Sequence, residues 1–450
     1  TPPSYRFDIA IEEDLIEEVV RLYGYDKIPS HHPVSQQVML PTSGTYHRNL
    51  KEALTSRGFY EVVTYSFIED EIEKSLHGNS SPIQLQNPIA SQMSTMRSSL
   101  WGSHLEVLTY NLNRQVSRLN IFEIAQTFHG AYSHWLDGNT GKVIAFSSDD
   151  NGGDLVETSY LIQGLLTARA YFDQSTTDET QLRSNITSIW EKVEWDWYTK
   201  SNSGSLYWHW SPSLGWKMNM TVRGWNECLI TYVLAASSPT HPINLSTYQK
   251  GWANNGSMKN GSSFYGFQLP LGENLGGPLF FSHYSFLGLD PRGLSDAYAN
   301  YETQTTNHSK INHAYCKANP RQHYGYSDQC WGLTASDNNS GYSAHSPSND
   351  LGVISPTAAL SSMPYTPTES MKAARFFYYK LGDKIWRTQG FTDAFNLNVG
   401  WFATSFLAID QGPIVVMIEN HRSQLLWKTF TSDTEVKAGL KKLQFTAPYL

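Results

Sequence analysis

The sequence predicts a mainly helical protein, preceded by a smaller segment that mixes helices and strands. After about residue 128, apolar residues recur at helical spacing in about nine or ten stretches, separated by turns rich in Gly, Asn, Ser and Pro. Before that point, charged helical patterns alternate with short apolar strand patterns. The composition changes at the same place, because all three cysteines and every tryptophan except Trp101 follow it. We therefore expect two domains with a border near residues 126–130.

The length and the charge restrict the class of protein. A chain of 450 residues, 40% of them hydrophobic, can bury one large core or two to three ordinary ones. The net charge of −8 disfavours non-specific binding to a polyanion, so the sequence gives no strong signal for a nucleic-acid partner. The chain contains no run of about 18 apolar residues, and its first residues lack the basic and apolar parts of a signal peptide. We therefore expect no membrane contact.

The first segment begins with an amphipathic helix. Apolar residues between Ile11 and Leu22 recur at helical spacing, while Asp14, Glu17 and Glu18 lie on the opposite face. Gly24 is suited to end this helix. The acidic face has two interpretations, a solvated surface or a set of oxygen ligands for Mg²⁺.

Three stretches of this segment carry a family resemblance. They are "PSYRFDIAIEEDLIEEVVRLYGYDKIP", "HRNLKEALTSRGFYEVVTYSF" and "LQNPIASQMSTMRSSLWGSHLEVLTYNLNRQVSRLNIFEIAQTF". Residues 1–127 resemble part of the bacterial phenylalanyl-tRNA synthetase β subunit, which implies a non-catalytic α+β segment that supports an α subunit. The resemblance implies a Mg²⁺ site, completed by that α subunit, with ligands Asp8, Asp14, Glu17 and Glu18. The tRNA-editing and anticodon-reading parts of the family have no counterpart here.

The second segment opens with the densest group of acids. Asp150, Asp154 and Glu157 stand around "NGGD", just before a stretch with the apolar stripe of a helix. A turn at the two glycines would bring the three carboxylates to the start of that helix. The alternative is a capping box, in which Asp154 caps the helix and Glu157 bonds back to it.

Two further acids stand near predicted helix starts. Asn226 is suited to cap a helix, which would place Glu227 in its first turn, and Asp410 precedes "QGPIVVMIEN". Each has a structural explanation as an acidic residue at a helix N-terminus. To act as a general acid, Glu227 would need a pKa raised by burial or by a neighbouring carboxylate.

Aromatic and polar residues surround these acids in a mixture that is typical of sugar sites. Pyranose C–H faces stack on aromatic rings, and Arg, His and Asn side chains bond the hydroxyls. Aromatic clusters more often form a core than a ligand platform. The candidate substrate-binding residues are Trp135, Trp208, Trp225, His283, Tyr284, Arg292 and His345.

Five stretches of the second segment carry a second resemblance. They are "HGAYSHWLDGNTGKVIAFSSDDNGGDLVETSYLIQGLL", "GWNECLITYVLAASSPTHPI", "GGPLFFSHYSFLGLDPRGLSDAYANY", "CWGLTASD" and "AIDQGPIVVMIEN". Residues 128–450 resemble the glucoamylase-like endo-β-1,2-glucanases of glycoside hydrolase family 144. The resemblance implies an (α/α)6 barrel and inverting hydrolysis of β-1,2-glucan without a cofactor. It implies a general acid at Glu227, a general base at Asp154 or, second, Asp410, and further acidic positions at Asp150 and Glu157.

The two resemblances meet near Gln126–Phe128. Family members carry the first helices of the barrel where this chain has the synthetase-like segment, so we expect a barrel that lacks its first helices. We interpret the chain as a chimera. The larger resemblance implies a periplasmic location and the smaller a cytoplasmic one. Three functions compete: glucan hydrolysis, docking to a synthetase α subunit through Mg²⁺, and glucan binding without turnover.

Overall fold

The computed structural model describes residues 19–20, 55–57, 59–62, 67–77, 84, 93–96, 101–114, 121–122, 129–136 and 143–450. Contacts between Cα atoms divide the chain into two units, Thr1–Glu52 and Ala53–Leu450. In the first unit, the described residues Val19 and Val20 are helical. The remainder of the predicted amphipathic helix lies outside the described residues.

The described part of the second unit is mainly helical. Two helices precede residue 128, and ten follow it in the described range 143–450. The helices are α1 (Asp70–His77), α2 (Trp101–Leu112), α3 (Leu155–Tyr171), α4 (Thr177–Glu191), α5 (Leu229–Ser237), α6 (Leu245–Lys250), α7 (Tyr301–Ala318), α8 (Pro356–Leu360), α9 (Pro367–Ile385), α10 (Ala408–Arg422), α11 (Leu425–Ser432) and α12 (Thr434–Lys442).

The described strands are short and form two-stranded pairs. They are β1 (Tyr60–Glu61), β2 (Phe67–Ile68), β3 (Thr95–Met96), β4 (Ile121–Phe122), β5 (Trp135–Leu136), β6 (Val143–Ile144), β7 (Gly153–Asp154), β8 (His209–Trp210), β9 (Ser263–Phe264), β10 (Phe267–Gln268), β11 (Ala335–Asn338), β12 (Gly341–Ala344), β13 (Trp386–Arg387), β14 (Gly390–Phe391), β15 (Phe395–Asn396) and β16 (Trp401–Phe402). The pair β1–β4 is parallel, so the described part of the first segment mixes strands with α1 and α2.

Helices α3 to α12 form an (α/α)6 barrel that lacks its first helices. The buried helices α5 and α8 lie inside, since every residue of each is buried. Helices such as α4 and α9 lie outside and bury only part of their residues. The last helices of the chain pack against the first helices of the barrel. Helix α11 packs against α3, and α12 packs against α5. The prediction of about nine or ten helical stretches in this part of the chain is confirmed by the ten helices of the described range 143–450.

The barrel holds two main apolar clusters. The larger one joins α3, α5, α11 and α12 around fully buried side chains that include Trp190, Trp195 and Trp252. The second joins α7, α8 and α9 around Trp331 and Phe377. In the described part of the chain, none of the helices is long and apolar enough to cross a membrane.

Candidate active site

The first part of the site is built where two short strands meet a helix. Strand β7 pairs with β8 in antiparallel register, which places Asp154 opposite His209. The close approach requires glycine at position 152, since a Cβ there would lie 2.2 Å from the Trp210 carbonyl oxygen. Helix α3 begins directly after β7, so Asp154 stands both on a strand and at a helix N-cap.

Each oxygen of the Asp154 carboxylate has partners. Oδ1 accepts hydrogen bonds from the backbone N–H groups of Val156 (3.0 Å) and Glu157 (2.9 Å). Oδ2 lies 2.8 Å from His134 Nδ1 and 3.5 Å from His209 Nε2. The predicted N-cap is therefore confirmed. The second half of the predicted capping box is wrong, because the Asp154 N–H donates to the Tyr132 carbonyl oxygen instead of to Glu157.

A second carboxylate completes a group with two acids and two histidines. His209 Nε2 lies 3.1 Å from Asp150 Oδ2, and both aspartates are buried, at 3% and 0% exposure for Asp150 and Asp154. We call His134, Asp150, Asp154 and His209 the histidine-paired cluster. Each buried negative charge thus faces a group that can carry a positive one, which is the condition under which buried charges are tolerated.

The charges in this cluster stabilise one another. Burial opposes ionisation of Asp154, but hydrogen bonds from His134 and His209 lower its pKa below the usual value. Burial also opposes the charged form of His209, yet Asp150 and Asp154 raise its pKa to about 9. The pKa of His134 is likewise raised by Asp154 against the effect of burial. At neutral pH the cluster therefore contains an ionised Asp154 next to a protonated His209.

Two glutamates near this cluster hold protons more tightly than usual. Burial and the charge of Asp154 raise the pKa of Glu157, in the first turn of α3, to about 7. Burial also raises the pKa of Glu227 to about 7, with smaller contributions from Glu157 and Asp154. Both residues keep part of their surface exposed, unlike Asp154. Both carboxyl groups are therefore partly protonated at neutral pH.

Glu227 lies in a turn, not in a helix. Helix α5 begins at Leu229, and Asn226 Oδ1 accepts a hydrogen bond from the Cys228 N–H within the preceding turn. The prediction that Glu227 occupies the first turn of a helix is therefore wrong. The Glu227 carbonyl oxygen accepts hydrogen bonds from Ser285 and from Tyr160, the latter at 3.5 Å, which fixes the turn between α3 and the segment after residue 279.

A further set of carboxyls lies on β11, in the loop between β14 and β15, and on α10. Asp410 stands in the first turn of α10, as predicted, and its carboxyl lies within hydrogen-bonding reach of Asp393. Asp393 Oδ2 accepts a bond of 2.7 Å from the Asp337 N–H. Burial and the neighbouring Asp393 raise the pKa of Asp410 well above its usual range, and burial raises that of Asp393. We call Asp393 and Asp410 the acid pair.

Two tyrosines connect the sets of acids. The hydroxyl of Tyr284 has a raised pKa, chiefly from burial, and it also experiences the charges of Asp410, Glu227 and Glu157. The pKa of Tyr342 on β12 is raised by burial and by carboxylates that include Asp410 and Glu157. The charges of Glu157, Glu227 and Asp410 thus all act on the hydroxyl of Tyr284.

Some predicted substrate-binding residues lie beside these carboxyls. Trp135 on β5 is 50% exposed, and its ring is 5.6 Å from that of His134. The ring of Trp208 stacks on His209 at 5.8 Å. Tyr284 packs edge-to-face on Tyr160 at 5.6 Å. The structure thus brings Trp135, Trp208 and Tyr284 to the region of the acids.

Other predicted residues lie in the core or elsewhere. Trp225 packs against Phe286 in the larger apolar cluster. His283 and His345 are fully buried, and burial lowers the pKa of His283 to about 3 and also lowers that of His345. Arg292 pairs with Asp290 at 2.6 Å and lies over the Trp427 ring, beside a surface pocket lined by Gln424 and Lys428. These four residues are not part of the acidic region.

Two metal sites can be considered. The acidic residues predicted to bind Mg²⁺, which are Asp8, Asp14, Glu17 and Glu18, lie outside the described residues. Among the described residues, His134, Asp150 and Asp154 place potential ligand atoms within 4.8 Å of one another. The Asp154 oxygens are already engaged by two histidines and two backbone N–H groups. A protonated His209 there already balances the negative charge, so the geometry favours ion pairs.

Sequence reasoning missed several residues of the site. His134 and His209 are not among the predicted site residues, although each stands next to a predicted substrate-binding tryptophan, Trp135 or Trp208. Asp393 is likewise not among the predicted site residues. His134 and His209 are separated from Asp154 by 20 and 55 positions, so no local sequence spacing indicates the pairing. Only the fold shows it.

Fold and site together define a class: a helical-barrel protein of the glycoside hydrolase type, with a carboxyl-lined region at the helix starts. A family model described as "Putative glucoamylase" matches residues 219–434. The chain is similar to the crystal structure of endo-β-1,2-glucanase from Chitinophaga pinensis, with 54% identity and a TM-score of 0.71 over 72% of this chain and 79% of that one. The chain belongs to this glucoamylase-like family of β-1,2-glucanases.

A curated relative supports the same assignment. The chain is 47% identical over 346 residues to an exo-β-1,2-glucooligosaccharide sophorohydrolase from Parabacteroides distasonis. The match covers 72% of this chain and 48% of the relative, so the chain spans about half the length of that protein.

The first segment matches a different family. Models of the synthetase B5 domain and of the phenylalanyl-tRNA synthetase β chain match residues 1–25 and 28–181. The chain is 51% identical over 130 residues to the phenylalanine–tRNA ligase β subunit of Ralstonia nicotianae, which covers 28% of this chain and 16% of that subunit. The second model extends into α3 and α4, but α3 packs against α5 and α11 and is structurally part of the barrel. The chain thus combines segments of two families.

Proposed function

We propose that this chain is a glycoside hydrolase that cleaves β-1,2-linked glucan with inversion, and that Glu227 is its general acid. The observation that carries the proposal is the pKa of about 7 at a partly exposed Glu227, next to an ionised Asp154. A general acid must be protonated at the working pH and must reach the glycosidic oxygen. Glu227 meets the first condition because burial disfavours its charged form.

The geometry favours the acid pair as the general base. Of the two sequence candidates, Asp154 is fully buried and its oxygens are engaged by histidines and backbone N–H groups. Both Asp410 oxygens are also buried, but neither has a well-aligned hydrogen bond within the described residues. Because two adjacent carboxyls share one proton, the acid pair keeps one negative charge that can activate water. Asp154 instead serves to position α3 and to set the charge around Glu157.

The family supports the substrate class. The structure of the Chitinophaga pinensis protein is a complex with sophorotriose and glucose, and the Parabacteroides distasonis protein is named for β-1,2-glucooligosaccharides. Trp135 offers an exposed aromatic ring beside the histidine-paired cluster, suited to stacking on a pyranose face. Paired carboxyls perform the reaction in this proposal without any metal or organic cofactor.

The test is the variant Glu227→Gln. We expect release of reducing ends from β-1,2-glucan to fall by about 10²–10⁴-fold, with unchanged melting temperature. An aryl sophoroside with a good leaving group needs no protonation, so its hydrolysis by Glu227→Gln should fall much less. Glu191→Gln, at the exposed end of α4, is the matched control and should be fully active. A loss of only a few-fold on glucan would exclude Glu227 as the acid.

The pH profile and the product give independent readouts. Activity should decline as the pH rises through about 7, because Glu227 then loses the proton that it donates. Proton NMR of the first product should show the α anomer, and a β anomer would contradict inversion. If the wild-type chain binds the glucan but releases no reducing ends, the third hypothesis is correct and the chain is a glucan-binding protein without turnover.

A second candidate function concerns the first segment. Its 51% identity to a synthetase β subunit favours docking to a synthetase α subunit, with Mg²⁺ held by Asp8, Asp14, Glu17 and Glu18. The test is co-purification of the full chain with a bacterial α subunit in Mg²⁺ and in EDTA. Retention that requires Mg²⁺ supports this function, and no retention in Mg²⁺ excludes it.

A further inference from the structure

A surface pocket next to Arg292 shares no lining residue with the candidate active site. The loop before α7 contributes Asp290 and Arg292 to its walls. Helix α11 contributes Lys428 and Thr431, and the segment after α12 contributes Tyr449. The volume of the pocket is about 340 Å³. Ligand pockets of proteins measure about 300–1,000 Å³, so this pocket suits a small molecule.

The guanidinium of Arg292 is held in one orientation at this pocket. Its Nε donates to Asp290 Oδ1 at 2.9 Å, and its Nη2 donates to Asp290 Oδ2 at 2.6 Å. Nη2 also lies 3.2 Å from Gln424 Oε1, and the guanidinium carbon lies 4.9 Å from the centre of the Trp427 ring. Within the described part of the chain, Nη1 has no hydrogen-bond partner. Arg292 therefore offers a fixed N–H donor whose charge Asp290 already balances.

Gln424 brings an amide to the same pocket from an unusual backbone conformation. It is the N-cap residue of α11 and lies in the left-handed region, with a φ of 65° and a ψ of 21°. Its carbonyl oxygen accepts a hydrogen bond of 2.9 Å from the Lys428 N–H, and its own N–H donates to Asn420 at 3.1 Å. Because Oε1 accepts from Arg292, the amide NH2 group is the part of the side chain that stays available to a ligand. Strained backbone of this kind is often found where it positions a functional group.

Direct contacts hold the walls of the pocket together. The Tyr449 hydroxyl donates to the Asp290 carbonyl oxygen at 2.8 Å. The close approach of the segment after α12 requires glycine at position 293, since the φ of Gly293 is +66° and a Cβ there would lie 2.8 Å from Pro448 Cδ. The pocket is therefore preformed, so a ligand that enters it would order little of the chain.

The hydrogen-bonding groups of the lining include both donors and acceptors. Arg292 Nη1, the Gln424 amide and the Lys428 ammonium are donors. The Thr431 hydroxyl, which is 4% exposed, donates to the Trp427 carbonyl oxygen at 2.6 Å, so its oxygen is left to accept. A sugar hydroxyl can both donate and accept, and it matches such a mixture.

The remaining surface and the charge also fit a neutral sugar better than an anion. Pro448 and the Tyr449 ring add apolar surface, on which the C–H face of a pyranose can pack. The guanidinium of Arg292 is neutralised by Asp290 at 2.6 Å and also experiences the charge of Glu302. An anion would therefore find no unpaired guanidinium in this pocket.

We propose that this pocket is a second carbohydrate site, and that it binds glucosyl units of β-1,2-glucan. The polyol class follows from the groups of the pocket, whereas the choice of glucose rests on the proposed hydrolysis of β-1,2-glucan. Arg292, which the sequence predicts to bind substrate, would then contact the sugar here and not beside the catalytic carboxyls. A second site on one chain raises the effective concentration of a long glucan at the first.

The test is calorimetric titration of the full chain with sophorose, the β-1,2-linked disaccharide of glucose. Gln424→Gly removes the amide and keeps the left-handed backbone, which glycine adopts readily. We expect this variant to bind one sophorose fewer per chain than the wild type. Gln322→Gly is the matched control, because Gln322 is an exposed glutamine with a φ of 57°, and it should bind as the wild type does.

Further variants locate the site. Lys428→Met should weaken sophorose binding at the pocket about tenfold, because a charged hydrogen-bond donor is lost. Trp135→Ala, which changes an exposed ring of the candidate active site, should leave the pocket site intact. Melting temperatures confirm that each variant is folded, and Gln424→Asn replaces Gln424→Gly if that variant is not.

Three results would overturn the proposal. They are absence of sophorose binding by the wild type, wild-type binding in both Gln424→Gly and Lys428→Met, and loss of all binding in Trp135→Ala. Inorganic phosphate is titrated in parallel. If phosphate binds in place of sophorose and Lys428→Met abolishes this binding, the pocket is an anion site and the proposal is likewise wrong.

The outcome is distinguishable from that of the proposed hydrolysis. A chain that loses one sophorose site in Gln424→Gly but releases no reducing ends from glucan confirms the pocket and contradicts the enzyme. A chain that hydrolyses glucan while Gln424→Gly and Lys428→Met bind sophorose as the wild type does contradicts the pocket alone.

Discussion

The histidine-paired cluster and the acid pair solve the same physical problem in opposite ways. Each contains two buried aspartates, Asp150 and Asp154 in one and Asp393 and Asp410 in the other. In the first, two imidazoles lie within 2.8–3.5 Å of carboxylate oxygens and compensate their charge. In the second, the Asp410 carboxyl finds mainly another carboxyl, and its pKa rises.

The difference shows that burial alone does not determine the state of a carboxyl. Burial by itself favours a higher pKa for both Asp154 and Asp410. The side chains beside the two carboxyls differ, and they determine the outcome. Histidines lower the pKa of Asp154 to below its usual value, whereas Asp393 adds to the effect of burial at Asp410. The first cluster is therefore an ionised structural unit, and the second retains a proton that it can exchange.

Asp154→Asn should break the first cluster and have the largest effect on stability. Asparagine keeps the N-cap bonds from the Val156 and Glu157 N–H groups, but it replaces the charged acceptor Oδ2, which faces His134 and His209, by an amide NH2 group. Breaking a buried ion pair on one side typically costs about 3–5 kcal/mol, and we expect the lower end because the histidines can release their protons. Urea unfolding followed by tryptophan fluorescence measures the free energy of unfolding.

The control for this variant is Asp433→Asn, because Asp433 also caps a helix, α12, and pairs with a single cation, Arg169, at 2.6 Å. It should cost less, since Arg169 retains Glu435 at 2.6 Å as a second partner. Equal losses in the two variants would show that Asp154 contributes as an ordinary cap and not as the centre of an ion cluster.

The helical fold could be predicted from the sequence because its cause is local. Apolar spacing and capping residues are readable over ten to twenty positions, as at Asp154 before α3. The local sequence pattern predicts the start of a helix less well where several short-range hydrogen bonds compete. Asn226 does bond a nearby N–H, but the helix starts two residues later than a simple cap would predict, so Glu227 lies in a turn.

The site could be predicted only in part, and for a physical reason. Residue types identify carboxyls, and family resemblance selects among them, but their charge state depends on partners that are distant in sequence. His209 meets Asp154 through the pairing of β8 with β7, and Asp393 meets Asp410 through packing of a loop against α10. Exposure is equally non-local, since His283 and His345 have the residue type of a sugar ligand and lie in the core.

His209→Gln should change how stability depends on pH, with a somewhat smaller effect. The pKa of His209 is about 9 in the folded protein and 6.5 ordinarily. Its contribution is therefore fully present below pH 6.5 and is lost as the pH rises through 9. The wild-type chain should lose up to about 3 kcal/mol in this window through His209, and the variant should lack this loss.

Melting temperatures measured between pH 6 and pH 9.5 test this expectation. His421→Gln, which changes an exposed histidine at the end of α10, should reproduce the wild-type curve. Parallel curves for His209→Gln and the wild type would mean that Asp150 and Asp154 do not hold His209 in its charged form.

Asp410→Asn should have the smallest effect on stability. This contrast with Asp154→Asn distinguishes the acid pair from the histidine-paired cluster most clearly. The pKa of Asp410 is raised well above its usual range, so at neutral pH the amide replaces a group that already carries the shared proton. The amide matches the acid in size and has an N–H that can donate toward Asp393, so the free energy of unfolding should change by less than about 1 kcal/mol. Because Asp393 then keeps the negative charge of the pair, glucan hydrolysis should survive in Asp410→Asn and be lost in Asp393→Asn if the acid pair is the general base, and added azide should restore turnover of Asp393→Asn as a glycosyl azide product. Wild-type activity of Asp393→Asn would return the role of base to Asp154, whereas a loss of stability in Asp410→Asn as large as that of Asp154→Asn would show that the acid pair, too, is held as buried charge.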